Sequence, residues 1–283
     1  MRSITRTLWG ARLQTILLCG LPYTNVQNTT LNEKFGVQAG VVPANNAIPR
    51  VKYFCIGNGG HRNLTGSDGT PYTSPIQHDP GDAALYRHVP FLLREPDNDL
   101  TVSERANYAM RKQIVVSGSN YIAYYLKRLN MTDVVPTINT NTVLDGVTTT
   151  TPYVPTSANL NPVPPAIPPT GVITTSGDYL STSAVLRLDF TAQDVAELVN
   201  VAEIMYDNDL RAVISEIGLV AGVDQIVQGI GPGGGQISYS EAIAAQITTF
   251  ISAYYSVGFS NQGFDFGLEL GAIEPLLSVT TGP

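Results

Sequence analysis

The chain has 283 residues, of which 43% are hydrophobic and only 14% are charged, and its formal net charge is −7. The basic residues are scattered, which argues against a nucleic-acid-binding groove, and no apolar run reaches the roughly 20 residues that a membrane-spanning helix needs. Arginines outnumber lysines twelve to four. Because the guanidinium group is weakly hydrated and common in interfaces, this balance favours a surface that partner proteins largely cover.

The charge is unevenly divided along the sequence. Up to residue 150 there are 14 basic and 10 acidic residues, and beyond it there are 2 basic and 13 acidic residues. Such a division permits head-to-tail contact between unlike faces of neighbouring subunits. An ordinary acidic domain is the alternative interpretation.

The N-terminal segment is predicted to form a helix and then an arm. Apolar residues recur at helical spacing from Ser3 to Leu18, and the predicted apolar stripe consists of Leu8, Ala11, Thr15 and Leu18. Residues 21–49 are rich in Asn, Thr, Gly and Pro, which predicts an extended arm. The two cysteines, Cys19 and Cys55, lie in apolar runs and are expected to be buried free thiols.

A strand and a long loop follow the arm. Residues Arg50 to Gly57 alternate as a strand does and run into a turn, Gly57-Asn-Gly-Gly-His61, that glycine makes conformationally permissive. Loop-like sequence then continues to His88, so that the predicted loop spans residues 57–88. A loop of this length in an ordered chain is either functional or held in place by another segment.

All three histidines of the chain lie on this loop. His61, His78 and His88 are accompanied by aspartates, and imidazole and carboxylate groups are ligands for Zn²⁺ and other transition metals. A metal-dependent enzyme is therefore one alternative for the chain. No paired spacing such as His-x-x-His is present, and we predict that no metal and no cofactor is bound.

A helix and a tyrosine-rich strand are predicted before residue 130. Thr101 and Glu104 have the spacing of a capping box, and the helix that they open is predicted to continue through Arg111. Asn120 to Leu129 is predicted to be a strand. Its aromatic residues indicate a strand with two apolar faces or an interface: Tyr121, Tyr124 and Tyr125.

Residues 130–177 interrupt the regular pattern. The stretches Thr148–Pro152 and Pro162–Thr170 are unsuited to a helix or a central strand, because proline lacks a backbone N–H. Proline also keeps a chain extended with little entropy left to lose. We predict an arm laid across a neighbouring subunit, with a solvated linker as the alternative; its expected contact residues are Pro162, Pro164, Pro165, Pro168 and Pro169.

The C-terminal region is predicted to alternate strands and helices. Thr182 to Phe190 reads as a strand, and a helix with a second capping motif opens at Thr191, with Glu197 and Glu203 facing solvent. After a glycine-rich loop at 229–235, another helix is predicted from Ser238 or Ser240 to about Thr248. Two closing strands follow, at Phe250–Phe259 and Gly263–Leu270.

The strand predicted from Arg211 to Asp224 organises the rest of the chain. Both sets of alternating positions are largely apolar, which predicts a central strand covered on both faces. Glu216 interrupts one face, and Gly218 removes a side chain from that face. A carboxylate beside bare backbone is expected to bond a neighbouring chain segment, from the same chain or from another subunit, so both residues are candidate interface residues.

The elements show no βαβ rhythm. This predicts an α+β fold with mainly antiparallel sheets, a few short helices and long extended arms. The predicted division is an N-terminal α+β region at 1–129, the arm or linker at 130–177, and a C-terminal α+β domain at 178–283.

The run Ile214-Ser-Glu-Ile-Gly-Leu219 resembles a strand of tail-associated structural proteins of tailed bacteriophages, such as tail-collar fibre and baseplate proteins. The resemblance implies a non-enzymatic virion subunit, assembled in the host cytoplasm, whose partners are other virion proteins and copies of itself. It implies a position in the tail baseplate or at the head-to-tail junction.

A carbohydrate-binding or glycan-cleaving protein is a further alternative. Its aromatic residues would be Tyr121, Tyr124, Tyr125, Tyr254 and Tyr255, with nearby acids. Glycan cleavage needs two carboxylates that face one cleft.

Overall fold

The computed structural model describes residues 3–164, 166–167, 171–231, 234–258 and 262–281. The chain forms two compact units: the first contains residues 1–129 and 189–265, and the second contains residues 130–188 and 266–283. The boundary after residue 129 coincides with the sequence-based one. Residues 189–265 belong to the first unit, and not to a separate C-terminal domain, because the strand at Val213–Ile230 pairs with the strand at Arg50–Gly57.

Antiparallel strands dominate both units, and the helices are few and mostly short. The helices are α1 (Leu8–Cys19), α2 (Leu31–Phe35), α3 (Val102–Arg105), α4 (Ser157–Leu160) and α5 (Ala192–Tyr206), with 3₁₀ turns at Ala44–Asn46, Pro96–Asn98 and Asp209–Arg211. The strands are β1 (Ser3–Arg6), β2 (Arg50–Gly57), β3 (His61–Thr65), β4 (Pro71–Pro75), β5 (His88–Val89), β6 (Leu92–Arg94), β7 (Tyr108–Val116), β8 (Ser119–Arg128), β9 (Thr137–Leu144), β10 (Val147–Pro152), β11 (Gly171–Phe190), β12 (Val213–Ile230), β13 (Gln236–Ser256) and β14 (Phe264–Thr281). The mainly antiparallel sheets are as predicted, but the fold is mostly β and not evenly divided between helix and strand.

An eight-stranded sheet forms the first unit, in the order β1-β13-β12-β2-β8-β6, with β5 paired to β2 and β7 paired to β8. The strand β12 lies between β13 and β2, and every residue from Ile214 to Gly222 is buried. This confirms the predicted central strand with both faces covered. A separate hairpin of β3 and β4 occupies part of the predicted 57–88 loop.

The N-terminal helix begins later than predicted and buries a different face. Residues Ser3–Arg6 form β1 along β13, and the hydroxyl of Thr7 caps α1 by accepting a bond from the Gly10 N–H. Its buried residues are Leu13 and Ile16, whereas Leu8 and Leu18 are exposed. The predicted stripe was wrong because apolar residues occur on several sides of this helix. Cys55 is buried and free as expected, but Cys19 is free and exposed.

Residues 21–49 are not an extended arm. They contain α2, which begins with a capping box between Thr30 and Glu33 and buries Leu31 and Phe35. The buried Asn32 side chain donates to the Ala242 carbonyl and accepts from the Ala245 N–H, both at 2.8 Å. This segment is therefore packed against β13.

Two predicted helices are strands over much of their length. The capping box of Thr101 and Glu104 is present, but α3 ends at Arg105, and the chain continues as β7 along β8. The segment from Ser238 to Thr248 is part of β13, which pairs with β12. Its Ala, Glu and Gln residues favour a helix, but sheet pairing outweighs such small propensities.

The acidic side chains of α5 agree with the prediction except at Glu197. Its N-terminal cap, Thr191 with Asp194, is confirmed, and Glu203 is exposed. Glu197 is buried instead of solvated, because Arg94 donates to both of its carboxylate oxygens at 2.5 and 2.7 Å. A carboxylate with a forked arginine partner can leave water at little net cost.

The second unit is built around a four-stranded sheet in the order β10-β9-β11-β14. The hairpin of β9 and β10 turns at Asp145-Gly146, where both residues have positive φ. Residues 130–177 are thus not one continuous arm. Pro152 ends an edge strand, where its missing N–H costs nothing.

The structure describes the proline-rich stretch only in part. Pro162 and Pro164 are exposed and belong to no helix or strand. The remaining predicted contact residues lie outside the described residues: Pro165, Pro168 and Pro169. Within the described part of the chain, no helix has the length and apolar character to cross a bilayer.

Candidate functional site

Glu216 is the centre of a hydrogen-bonded cluster inside the first unit, and its side chain is 0% exposed. One carboxylate oxygen accepts from the backbone N–H groups of Gly59 and Arg87, each at 2.9 Å. The other accepts from the N–H of Tyr86 at 2.9 Å and lies 2.9 Å from Nε2 of His78. The predicted bond to a neighbouring segment is confirmed, and every one of these partners belongs to the same chain.

The His78 ring connects Glu216 to a second carboxylate. Its Nδ1 lies 2.9 Å from Asp82, and its ring is stacked between Tyr86 and Phe250 at centroid distances of 4.1 and 3.9 Å. The His78 and Glu216 side chains are both enclosed, so the cluster positions backbone segments of the chain.

The glycines of the 57–61 turn make room for this cluster. A side chain on Gly57 would place its Cβ 2.5 Å from the Glu216 carboxylate and in collision with the Arg87 carbonyl. A Cβ on Gly59 would lie 2.9 Å from the Arg87 backbone nitrogen. Neither glycine has positive φ. The close approach of two backbone segments therefore explains why glycine occupies both positions. The sequence had instead suggested a need for conformational freedom.

A cleft of about 330 Å³ opens beside the two segments that Glu216 holds. The side chains that define it are Asn58, His61, Arg87, Arg211 and Tyr254. Because Gly59 and Arg87 bond the same oxygen of Glu216, that residue fixes two walls of the cleft relative to each other. The sequence contained no signal for this cleft, since its residues come from four separate segments.

The cleft is cationic and has unpaired polar atoms. Arg87 and Arg211 are exposed, and in the described structure neither forms an ion pair with a carboxylate. Burial, and next the charge of Arg87, lower the pKa of His61 below its ordinary value. Asn58 is 8% exposed, and its Oδ1 and the Nδ1 of His61 are enclosed without a hydrogen-bond partner. Such a cleft can bind an anion that also carries hydrogen-bonding groups.

The three histidines do not converge on one point. His61 borders the cleft, His78 bonds Glu216, and His88 packs edge-on against Phe35 with its Nε2 accepting from the Leu85 N–H at 3.1 Å. Among the described residues, no group of three or more His, Cys, Asp or Glu side chains is arranged to hold a metal ion.

The predicted interface tyrosines of β8 point largely into the first unit. Tyr124 is buried and its hydroxyl donates to Asp99 at 2.8 Å, and Tyr125 is buried and stacks on Phe35 at 4.3 Å. Tyr121 is half-buried. The position of Tyr124 and Tyr125 in the core accounts for the two apolar faces of this strand.

The other residues singled out from the sequence have separate environments. Tyr254 is 42% exposed and borders the cleft, whereas Tyr255 is half-buried against Phe264. A Cβ on Gly218 would lie 2.7 Å from the Cys55 sulfur, so this glycine allows β12 and β2 to pack closely. Gly218 is therefore a packing residue inside the sheet.

The second unit has a polar groove of about 480 Å³ on its sheet. Asn141 donates to the Ser181 hydroxyl at 2.9 Å and accepts from Thr150 at 2.8 Å, and the Ser183 hydroxyl donates to Glu269. Tyr179 also lines the groove. Amide, hydroxyl and carboxylate groups beside one aromatic ring are suited to a ligand with many hydroxyls.

The apolar residues of the second unit are mostly exposed. In its described part, the buried apolar side chains are Leu186, Leu188, Phe266 and Leu268. The exposed large apolar side chains are Met131, Val135, Ile138, Val143, Leu144, Val147, Val154, Leu160, Val163, Ile167, Val172, Ile173, Val185, Leu270, Ile273 and Leu277. A unit with this distribution has little core of its own.

One comparison with known proteins gave a match. The model of a family of unknown function, DUF7208, matches residues 1–282. The curated proteins and the solved structures gave no match. Since the family model covers nearly the whole sequence, the chain belongs to the DUF7208 family.

Proposed function

We propose that the chain is a non-enzymatic structural subunit of a bacteriophage particle, in the tail baseplate or at the head-to-tail junction. In this proposal the second unit assembles with other virion proteins and with further copies of the chain. The observation that supports it best is the apolar surface of the second unit, where exposed large side chains far outnumber the four buried ones.

The energetics favour a partner on this surface. Covering one exposed Val, Leu or Ile side chain contributes about 1.5–3 kcal/mol, whereas a small unit without a core is marginal by itself. Many large apolar side chains in solvent favour association, because a partner that covers them removes apolar surface from water. The phage assignment itself is supported by the resemblance of the run from Ile214 to Leu219, which lies in the buried part of β12.

The experiment compares association of the full chain with that of variants on β14. Ile273→Asp/Leu277→Asp places two charges on exposed apolar positions of the second unit, and Val102→Asp/Val115→Asp does the same on the first unit. We expect the wild-type chain to associate in sedimentation velocity. The β14 variant should need at least tenfold higher concentration to do so, and the control variant should behave as the wild type.

Two outcomes would count against this assignment. One is a wild-type chain that stays monomeric at every concentration and does not bind a hydrophobic dye. The other is an equal loss of association in the β14 variant and its control, because the second unit would then have no special role.

Glycan binding at the polar groove is a second candidate function. It is favoured by the hydrogen-bonding side chains around Tyr179, since a sugar ring can stack on the tyrosine while its hydroxyls bond Asn141 and Glu269. On a glycan array, Tyr179→Ala should abolish the binding that the wild-type chain shows. Tyr72→Ala is the control, since Tyr72 is exposed in the first unit.

A further inference from the structure

The cleft of the first unit presents two arginines. Arg87 and Arg211 supply two guanidinium groups without a carboxylate partner in the described structure, and burial lowers the pKa of His61. The guanidinium of Arg211 lies over the Tyr206 ring at 4.7 Å, which restricts its orientation. Paired guanidinium groups with limited freedom bind carboxylates in a forked geometry.

The enclosed amide oxygen of Asn58 adds a second requirement. Among the described residues it is a hydrogen-bond acceptor without a donor, and leaving such a buried group unpaired is unfavourable. An anion without an O–H or N–H group has no donor for it. The occupant should therefore bring a carboxylate together with an N–H group, which is the combination that an acidic residue in a polypeptide offers.

The second unit carries acidic side chains suited to this role. It contains five acidic residues and a single basic residue, Arg187. Asp145 lies at the two-residue turn of the β9–β10 hairpin, is exposed, and has no ion-pair partner in the described structure. The turn is flanked by exposed Leu144 and Val147, so the hairpin tip presents a carboxylate, the backbone N–H groups of the turn and apolar side chains at one place.

We propose that the cleft at Arg87 and Arg211 receives the hairpin tip at Asp145 from a second copy of the chain. The inference rests on the proposed function as an assembling subunit and specifies one of its contacts. The contact is head-to-tail, because the cleft lies on the first unit and the tip lies on the second. A contact of this kind joins copies into a ring or a filament, unlike a two-fold contact, which would stop at a dimer.

A charge-reversal experiment tests the contact. Arg211→Glu and Asp145→Arg should each weaken self-association of the full chain at least tenfold in sedimentation velocity. An equimolar mixture of the two variants should regain association, because one variant keeps the cleft and the other keeps the tip, while the two reversed groups also attract each other. Arg62→Glu and Asp133→Arg are matched controls at exposed positions and should associate as the wild type does.

Three results would overturn the inference. The first is wild-type association by both single variants, and the second is a mixture no better than the single variants. The third is a cleft that serves an acidic sugar: glucuronate oligomers would then bind the wild type but not Arg211→Glu, with self-association unchanged. If the charge variants have no effect while the apolar β14 variant still loses association, this contact is wrong and the proposed function stands.

Discussion

Glu216 shows how one side chain determines the path of a distant segment. A buried carboxylate is costly to remove from water unless hydrogen bonds replace its hydration. Three backbone N–H groups and the His78 ring do so here. The long loop that the sequence left without structure is held by this residue, which lies in the buried part of β12.

Replacing Glu216 with Gln should destabilise the first unit by about 3 kcal/mol, because the new NH₂ group would face N–H donors that lose their acceptor. Urea unfolding followed by circular dichroism measures the difference. Glu203→Gln on the exposed face of α5 is the control and should change stability by less than about 0.5 kcal/mol. A loss below 1 kcal/mol for Glu216→Gln would mean that the cluster does not hold the loop.

His88 should make stability depend on pH. Its burial, and next the charge of Lys34, lower the pKa of His88 to about 3, below the ordinary value of 6.5. The unfolded chain then binds a proton that the folded chain does not, so stability is complete above pH 6.5 and falls as the pH drops towards 3. The slope is at most about 1.4 kcal/mol per pH unit.

The variant His88→Gln keeps an acceptor for the Leu85 N–H and removes the titrating group. We expect the fall in the urea midpoint between pH 7 and pH 4.5 to be smaller in this variant than in the wild type. Equal slopes in the two proteins would show that folding does not lower the pKa of His88.

Among the helices and strands, the hydrophobic pattern and the capping residues correctly predicted those elements whose structure depends on the local sequence. They located β2, β8, β12 and the starts of α3 and α5. They failed where pairing between distant segments decides the outcome. The segment from Ser238 to Thr248 has helix-forming residues but lies in β13, and the Thr-rich stretch at 148–152 is the edge strand of a hairpin.

The candidate site was only partly predictable for the same reason. An isolated carboxylate and a glycine on an apolar strand indicated that Glu216 needs a bonding partner. The partner, His78, lies 138 residues away, and no local pattern relates the two. No sequence pattern distinguished Arg87 and Arg211 of the cleft from the other arginines, because only the fold brings these two residues together.

The close packing of β12 on β2 should be visible in a double-mutant cycle. Gly218→Ala introduces a Cβ that would lie 2.7 Å from the Cys55 sulfur and 3.0 Å from Ile247 Cδ1. This overpacking should cost about 1–3 kcal/mol in urea unfolding. Cys55→Ala removes the sulfur, so the cost of Gly218→Ala should be smaller in that background.

Gly81→Ala serves as the control, because nothing lies within 4 Å of the new Cβ at that position. Additive effects of the Gly218 and Cys55 substitutions would contradict the packing explanation for this glycine.

At the scale of the whole molecule, the two units differ in how they are stabilised. The first has a broad sheet, helices packed against it, and buried ionic clusters around Glu216 and Asp99. The second consists of long strands with polar and apolar side chains alike in solvent. Folding of the first unit is therefore expected to be independent, whereas the second should gain stability when other chains cover it.

Amide hydrogen exchange at two protein concentrations is the most direct measurement of this difference. In dilute, monomeric protein, amides of Thr137–Leu144 and Tyr179–Ser183 should exchange at least tenfold faster than those of Ile214–Leu219, and they should become protected at concentrations where the chain assembles. Full protection of these second-unit amides in the dilute monomer, unchanged on concentration, would contradict the claim that partners complete the second unit.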